Sequence, residues 1–352
     1  PYAVPADRQP TDDTDGDGIT DEWEEFYDLD PNDPGDATLD PDGDGKTNKE
    51  EVDDNEHPVG TTARYFAEGN AFDPFTTWLT YYNPEAADAA INVTYYLDNG
   101  VVVHQVLKAA GGARGTINTR DMTALLGHAF GMKVEADESV SVNRTITWND
   151  RGDGAASERG VQLSTTWYFA EGATYETFQT FLLLTNPGEA DATVEVTYEG
   201  VGVTKTYVVP AHSRVTVWIN AEGPAFVNTT FGMTLVSSHP VVAERSTYIT
   251  EGETFQAGET SVGSPSTATD WYFAEGISGP VFDTFLLLSN PTGTDAQVTV
   301  TYLPDGAASV AVPHILPANS RLTVLVSNEA EWADATGLGM HVHVDNAVPI
   351  IA

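Results

Sequence analysis

The chain of 352 residues has no cysteine. This excludes disulfides, thiolate nucleophiles and sulfur-ligated zinc. Cationic side chains are scarce: 15 Lys and Arg stand against 53 Asp and Glu, for a formal net charge of −38. A nucleic-acid binder needs the opposite sign, and an anionic membrane surface would repel such a chain. No apolar run approaches the roughly 18 residues of a membrane span, so no membrane insertion is expected. No secretory leader is visible, and the first residue is Pro1 rather than Met, which points to a processed chain or a fragment. There is no Gly-x-Ser-x-Gly elbow, no Walker-type loop and no convincing helical period outside short turns at 121–128 and 328–334. With no constellation for catalysis, the expectation is a protein that is not an enzyme.

The acid that is present is concentrated at one end. Residues 1–60 hold 21 Asp and Glu against three Lys and Arg. Within that stretch "DTDGDGITDEWE" places oxygen donors at Asp13, Asp15, Asp17, the Ile19 carbonyl, Asp21 and Glu24, with Gly18 at the turn. "DPDGDGKTNKEE" repeats the spacing with Asp40, Asp42, Asp44, the Lys46 carbonyl, Asn48 and Glu51, and Gly45 at the turn. Calcium takes six to eight hard oxygens, and this spacing wraps a short loop around one ion. About two Ca²⁺ ions are expected, with Asp33 or Asp36 available for a third. Short helices should follow each loop, with Trp23, Phe26, Tyr27 and Leu29 as a small core. Without metal the excess charge repels itself, so the region is expected to be unfolded without Ca²⁺ and rigid with it.

Residues 11–58 resemble the calcium repeats of dockerin and thrombospondin type 3 modules, down to the "LDP" turn at 29–31. The resemblance implies an EF-hand-like module outside the cell.

The rest of the chain says one thing three times. "RYFAEG" stands at 64–69 and "WYFAEG" at 167–172 and 271–276. Each is followed by an apolar strand ending in Asn-Pro, at 78–84, 181–187 and 285–291, and then by alternating strands bounded by Gly, Pro, Asn and Asp. In "TVEVTYEG", Val194, Val196 and Tyr198 face one side and Thr193, Glu195 and Thr197 the other. Six to eight short strands per copy indicate a mainly β protein of three tandem immunoglobulin-like antiparallel β-sandwiches. The expected divisions are an arm at 1–10, the calcium module at 11–60, and repeats at 61–164, 165–267 and 268–352, the last incomplete. The motifs resemble the WYFAEG-type tandem repeats of bacterial cell-surface and secreted proteins. That resemblance implies an extracellular or cell-surface location and no activity.

Strand alternation turns Glu68, Glu171 and Glu275 toward the same side as a Phe, so each needs a partner. Arg114, Arg214 and Arg321 recur in one block and Arg144 and Arg245 in another. Each Glu is expected to pair with one of these and to fix strand register.

The third copy stops at Ala352, the place of Ala243 in the second. One reading is that the gene continues. The other is strand addition by the arm of the next subunit, because Ala6-Asp7-Arg8 echoes Ala243-Glu244-Arg245. The expected role is a calcium-stabilised, non-enzymatic subunit of a cell-surface stalk or extracellular filament. Its partners would be identical subunits in a homopolymer, or further repeats of the same gene. The alternative is a polysaccharide-binding or adhesive accessory region of a larger secreted enzyme or adhesin, with glycan as partner. Smaller signals are a Gly/Ser-rich join near 263–270, Arg-Gly-Asp at 151–153, and sequons at Asn92, Asn143 and Asn228. Trp332 is a candidate sugar-stacking aromatic. His341 and His343 alternate on one strand, which suits a shared metal or a plain solvated face.

Overall fold

The computed structural model of the chain describes residues 12–43, 45–59, 62–136, 139–149, 154–252, 254–279, 282–330 and 336–352. The arm at 1–10, the Arg-Gly-Asp tripeptide, Trp332 and Asp44 lie outside the described residues. The chain is mainly β, in antiparallel sheets, as its period-two patterning requires. Val194, Val196 and Tyr198 are buried while Thr193 and Glu195 are exposed, because successive side chains of a strand point to opposite faces.

In the first repeat one sheet runs in the order Thr62–Phe66, Phe130–Ala136, Ala89–Leu97, Val102–Ala109. A second runs Arg114–Asn118, Phe75–Tyr82, Ser141–Trp148, Gly154–Arg159. Phe66, Leu79, Tyr95, Phe130 and Met132 form one core between them. The second repeat has the same pairings, with one long strand, Gly232–Glu251, serving both sheets. Its first part pairs with Ala192–Glu199 and Ser164–Phe169, and its second part with Phe178–Asn186 and Thr254–Val262. The third repeat keeps one sheet, built on Thr336–Val344. Of the other it keeps Phe285–Asn290 paired with Ser320–Leu325, and a single bridge from Ser289 to Ile351.

The Asn-Pro dipeptides do more than end pairing. Asn83, Asn186 and Asn290 are each fully buried. Asn186 donates its amide to the carbonyls of Ala190 and Val209 (2.8 and 3.0 Å) and accepts from Gly188 N (3.0 Å). Asn83 makes the same three bonds with Ala87, Ala109 and Glu85. Asn290 makes them with Thr294, Leu316 and Thr292. One side chain thus satisfies the backbone of a corner that no ladder reaches.

The acidic end folds into two short helices, Asp21–Tyr27 and Asn48–Asp54, the second with a capping box formed by Thr47 and Glu50. Its expected core of Trp23, Phe26, Tyr27 and Leu29 is not self-contained. It packs with Val52 onto Ala90 and Val106 of the first repeat. The sequon at Asn92 lies under this contact: Asn92 is 1% exposed and donates to Tyr27 Oη (2.9 Å) and the Asn55 carbonyl (3.1 Å). Its amide is therefore closed to a glycan, whereas Asn143 and Asn228 are exposed.

Asn186→Ala strips partners from two carbonyls and an amide at a buried corner. It should cost about 3 kcal/mol, read from the midpoint of denaturant unfolding.

Candidate metal centre and inter-repeat junctions

The two acidic loops close in the same way. Asp13 accepts from Gly16 N (2.7 Å) and Gly18 N (3.1 Å), and Asp40 accepts from Gly43 N (2.8 Å) and Gly45 N (3.1 Å). Gly18 and Gly45 have φ of 96° and 99°, in the region that favours glycine, which is why the sixth position of each loop carries it. Asp21 N bonds the Asp12 carbonyl, and Asn48 N the Leu39 carbonyl, so each loop ends as its helix begins.

In the first loop Asp13, Asp15 and Asp17 bring carboxylate oxygens within 4.8 Å of one another, and so do Asp17, Glu24 and Asp36. Glu24 is fully buried, and neither of its oxygens has a hydrogen-bond partner; Asp15 Oδ2, Asp17 Oδ2 and Asp36 Oδ1 are likewise buried and unpartnered. Burial, with Asp15, Asp17, Asp36 and Asp21 nearby, pushes the Glu24 carboxyl up to about 7. Buried carboxylate oxygens without donors are costly unless a cation faces them. The donor set is all oxygen, which suits a hard cation. Asp36, one of the two residues the sequence offers for a third ion, stands beside Asp17 and Glu24 in the first cluster. Asp21 turns aside: its carboxylate accepts from Thr14 N (2.8 Å) and Thr14 Oγ1 (2.7 Å). Ile19 is buried, with its N–H on Asp17 (2.7 Å). In the second loop Asn48 and Glu51 are buried, while Asp42 is intermediate in burial. The Lys46 side chain turns out to Asp54 (2.9 Å) and Glu56 (2.7 Å).

The YFAEG glutamates divide. Glu171 meets Arg245 at 3.1 Å, as the alternation argument requires. Glu68 does not meet an arginine side chain. Its carboxylate crosses to the second repeat and accepts from Ser246, Tyr248 Oη (3.2 Å) and Thr260 Oγ1 (2.9 Å). Glu275 is exposed, and no ion pair among the described residues uses it. The buried pair is a different one: Arg144 of the first repeat with Glu244 of the second, 0% and 1% exposed. Glu244 also accepts from Ala67 N (2.8 Å), Arg144 donates to the Glu68 carbonyl (3.0 Å), and Arg214 Nε donates to the Ala67 carbonyl (3.1 Å). The repeats touch closely here, since a Cβ on Gly131 would overlap the Thr185 side chain. Beside it Phe75 and Trp148 pack against Tyr248, Phe181 and Phe255. The sequence signal for Glu244 was its place in "AER", which a search within one repeat could not assign.

His341 and His343 face Asp270 on the neighbouring strand: His341 Nε2 and His343 Nδ1 lie 2.9 and 2.8 Å from the same carboxylate oxygen. Bonds from His343 and then His341 hold the Asp270 carboxyl down at about 2. No helix among the described residues is long and apolar enough to cross a membrane.

No family model and no curated protein matches the sequence. Among solved structures, the chain is similar to Thermotoga maritima 1070, at 16% identity and a TM-score of 0.26, over 29% of this chain and 93% of that one. It is also similar to the Anabaena sensory rhodopsin transducer, at 22% identity and a TM-score of 0.22, over 24% and 92%. A bacterial ice-binding adhesin aligns over 72% of this chain and 85% of its own, at 14% identity and a TM-score of 0.11. Likenesses this weak carry no argument about this protein.

A double-mutant cycle on Glu171 and Arg245 should show about 1 kcal/mol of coupling, and one on Glu171 and Arg214 none. Equal coupling in both cycles would contradict the assignment of Arg214 to the other junction.

Proposed function

We propose that the chain is a non-enzymatic extracellular structural protein: a calcium-clamped module followed by three tandem immunoglobulin-like sandwiches, serving as a subunit of a cell-surface stalk or extracellular filament. The observation that carries this reading is the Arg144–Glu244 pair, buried between repeats rather than within one. Partners for a buried charge must be held in place, and removing one is strongly unfavourable. A chain that places such a pair at a joint stiffens the joint, and stiffness with repetition is what an extended array requires. The cation assigned to the acidic loops is Ca²⁺, about two ions per chain, because the donors are all oxygen and their spacing matches its coordination. It would brace the module against the first repeat, where Tyr27 and Asn92 meet.

Glu244→Ala leaves Arg144 buried without its partner and should lower stability by about 3 kcal/mol. In millimolar calcium it should also turn a rigid X-ray scattering profile into that of a flexible chain. Wild-type scattering that is already flexible would sink the structural reading.

A further inference from the structure

The outer face of the third repeat differs from the same face of the other two at three neighbouring positions. Asp270 stands where the first repeat has Ala63 and the second Thr166. His341 stands in the place of Lys133 and Thr234, and His343 in that of Glu135 and Val236. Tyr272 keeps the tyrosine of Tyr65 and Tyr168. The backbone frame is the same each time: the strand that opens YFAEG pairs antiparallel with the strand that carries Gly-Met. The fold is therefore built twice without the trio, and its stability does not account for the trio's presence. In the first repeat these positions hold an ion-pair cluster, in which Lys133 reaches Glu135 (2.7 Å) and Glu56 of the acidic module (3.0 Å).

In the third repeat the strand alternation does the positioning. Met340 and Val342 point into the core, so His341 and His343 stand together on the opposite face of one strand. Asp270 lies directly opposite His343 on the neighbouring strand. His341 Nε2 and His343 Nδ1 converge on a single Asp270 oxygen, at 2.9 and 2.8 Å. One nitrogen from each ring and one carboxylate oxygen all lie within 4.8 Å of one another. Ligands bonded to tetrahedral zinc at about 2.0–2.1 Å stand about 3.3 Å apart, which small side-chain rotations reach from here. The ligands are also held from outside. Thr269 Oγ1 donates to the other Asp270 oxygen (3.1 Å), and Tyr272 stacks on His341 with ring centres 4.5 Å apart. Outer contacts of this kind fix the orientation of metal ligands. The three side chains are 30%, 47% and 37% exposed, so an ion and its water can reach them.

A merely solvated strand face does not gather donors in this way. His128, His212 and His314 each lie beside one carboxylate, with no second imidazole joining them. Among the described residues, the Asp270 trio is the one ligand cluster that contains histidine; the others are carboxylates alone. The chain has no thiolate to compete for a soft ion, and its net charge of −38 draws cations to the surface.

The geometry points to a second metal site of a different class: a divalent transition-metal ion of the zinc type, held by His341, His343 and Asp270, with the remaining positions open to water. Two imidazoles with one carboxylate favour such an ion, whereas calcium takes six to eight oxygens. Each ring gives the ion a nitrogen lone pair and, being neutral, carries its proton on the other nitrogen. The site uses no residue of the acidic loops or of the joints between repeats. It goes beyond the structural role proposed above, and either reading can fail without the other.

The test uses the untagged full chain, with the acidic loops saturated by millimolar calcium. Zn²⁺ titrated calorimetrically should bind at one site per chain. His343→Ala and Asp270→Asn should each weaken that binding roughly tenfold or more. Both residues lie on the outer face, so the variants should melt with the wild type when zinc is absent. In histidine-ring NMR spectra, zinc should move the signals of His341 and His343 and leave those of the other histidines in place. Unchanged affinity in both variants would refute the site. Zinc that moves other histidines and leaves these two unmoved would refute it as well.

Discussion

A carboxylate taken out of water between two β units sets the terms for the rest of the molecule. Glu244 is 1% exposed, and its charge is met by Arg144 and by Ala67 N–H, both from the preceding repeat. Neither partner is free to move. Arg144 is tied to the Glu68 carbonyl, and Ala67 lies in the motif that the chain repeats three times. The YFAEG turn of the first copy offers an amide and a carbonyl to the second, and that of the second offers a carbonyl to the third. Close approach at Gly131 brings the two surfaces near enough for this to work. Relaxing any one of these features leaves a charge buried without compensation, which is a larger cost than most single contacts.

The same constraint explains why Glu68 and Glu171, identical in sequence context, have different neighbours. Where the next repeat supplies Ser246, Tyr248 and Thr260, Glu68 reaches across to their hydroxyls. Where those groups have no counterpart nearby, Glu171 meets the arginine of its own repeat. The partner of each glutamate is chosen by what stands across the joint.

Much of this was legible in the letters. Strand alternation placed Val194, Val196 and Tyr198 inside, and the two loops were found by spacing alone, because both periods act over a few residues. Contacts between repeats were not legible in that way. Glu244 and Arg144 lie a hundred residues apart, and a pairing argument confined to one repeat assigns arginines to the YFAEG glutamates instead. In the letters Asn186 is only the residue before a proline, whereas in the fold its amide organises the corner. The letters leave Asp33 and Asp36 as equal candidates for a further ion, because only the folded turn brings Asp36 to Asp17 and Glu24. The sequon at Asn92 matches a local pattern, while its burial depends on a helix sixty-five residues away.

That helix has a consequence for how the protein meets its surroundings. Tyr27, Trp23 and Phe26 share their packing with Ala90 and Val106, so the module acts as a cover on the outer face of the first repeat. If the Ca²⁺ proposed for the acidic loops holds that cover down, dilution of the ion lifts it. Its removal would bare aromatic and aliphatic surface on both sides of the contact at once, and such surface seeks other surface. In water poor in divalent cations the protein would therefore be sticky at one end, and its solubility would report the hardness of the medium it had passed through.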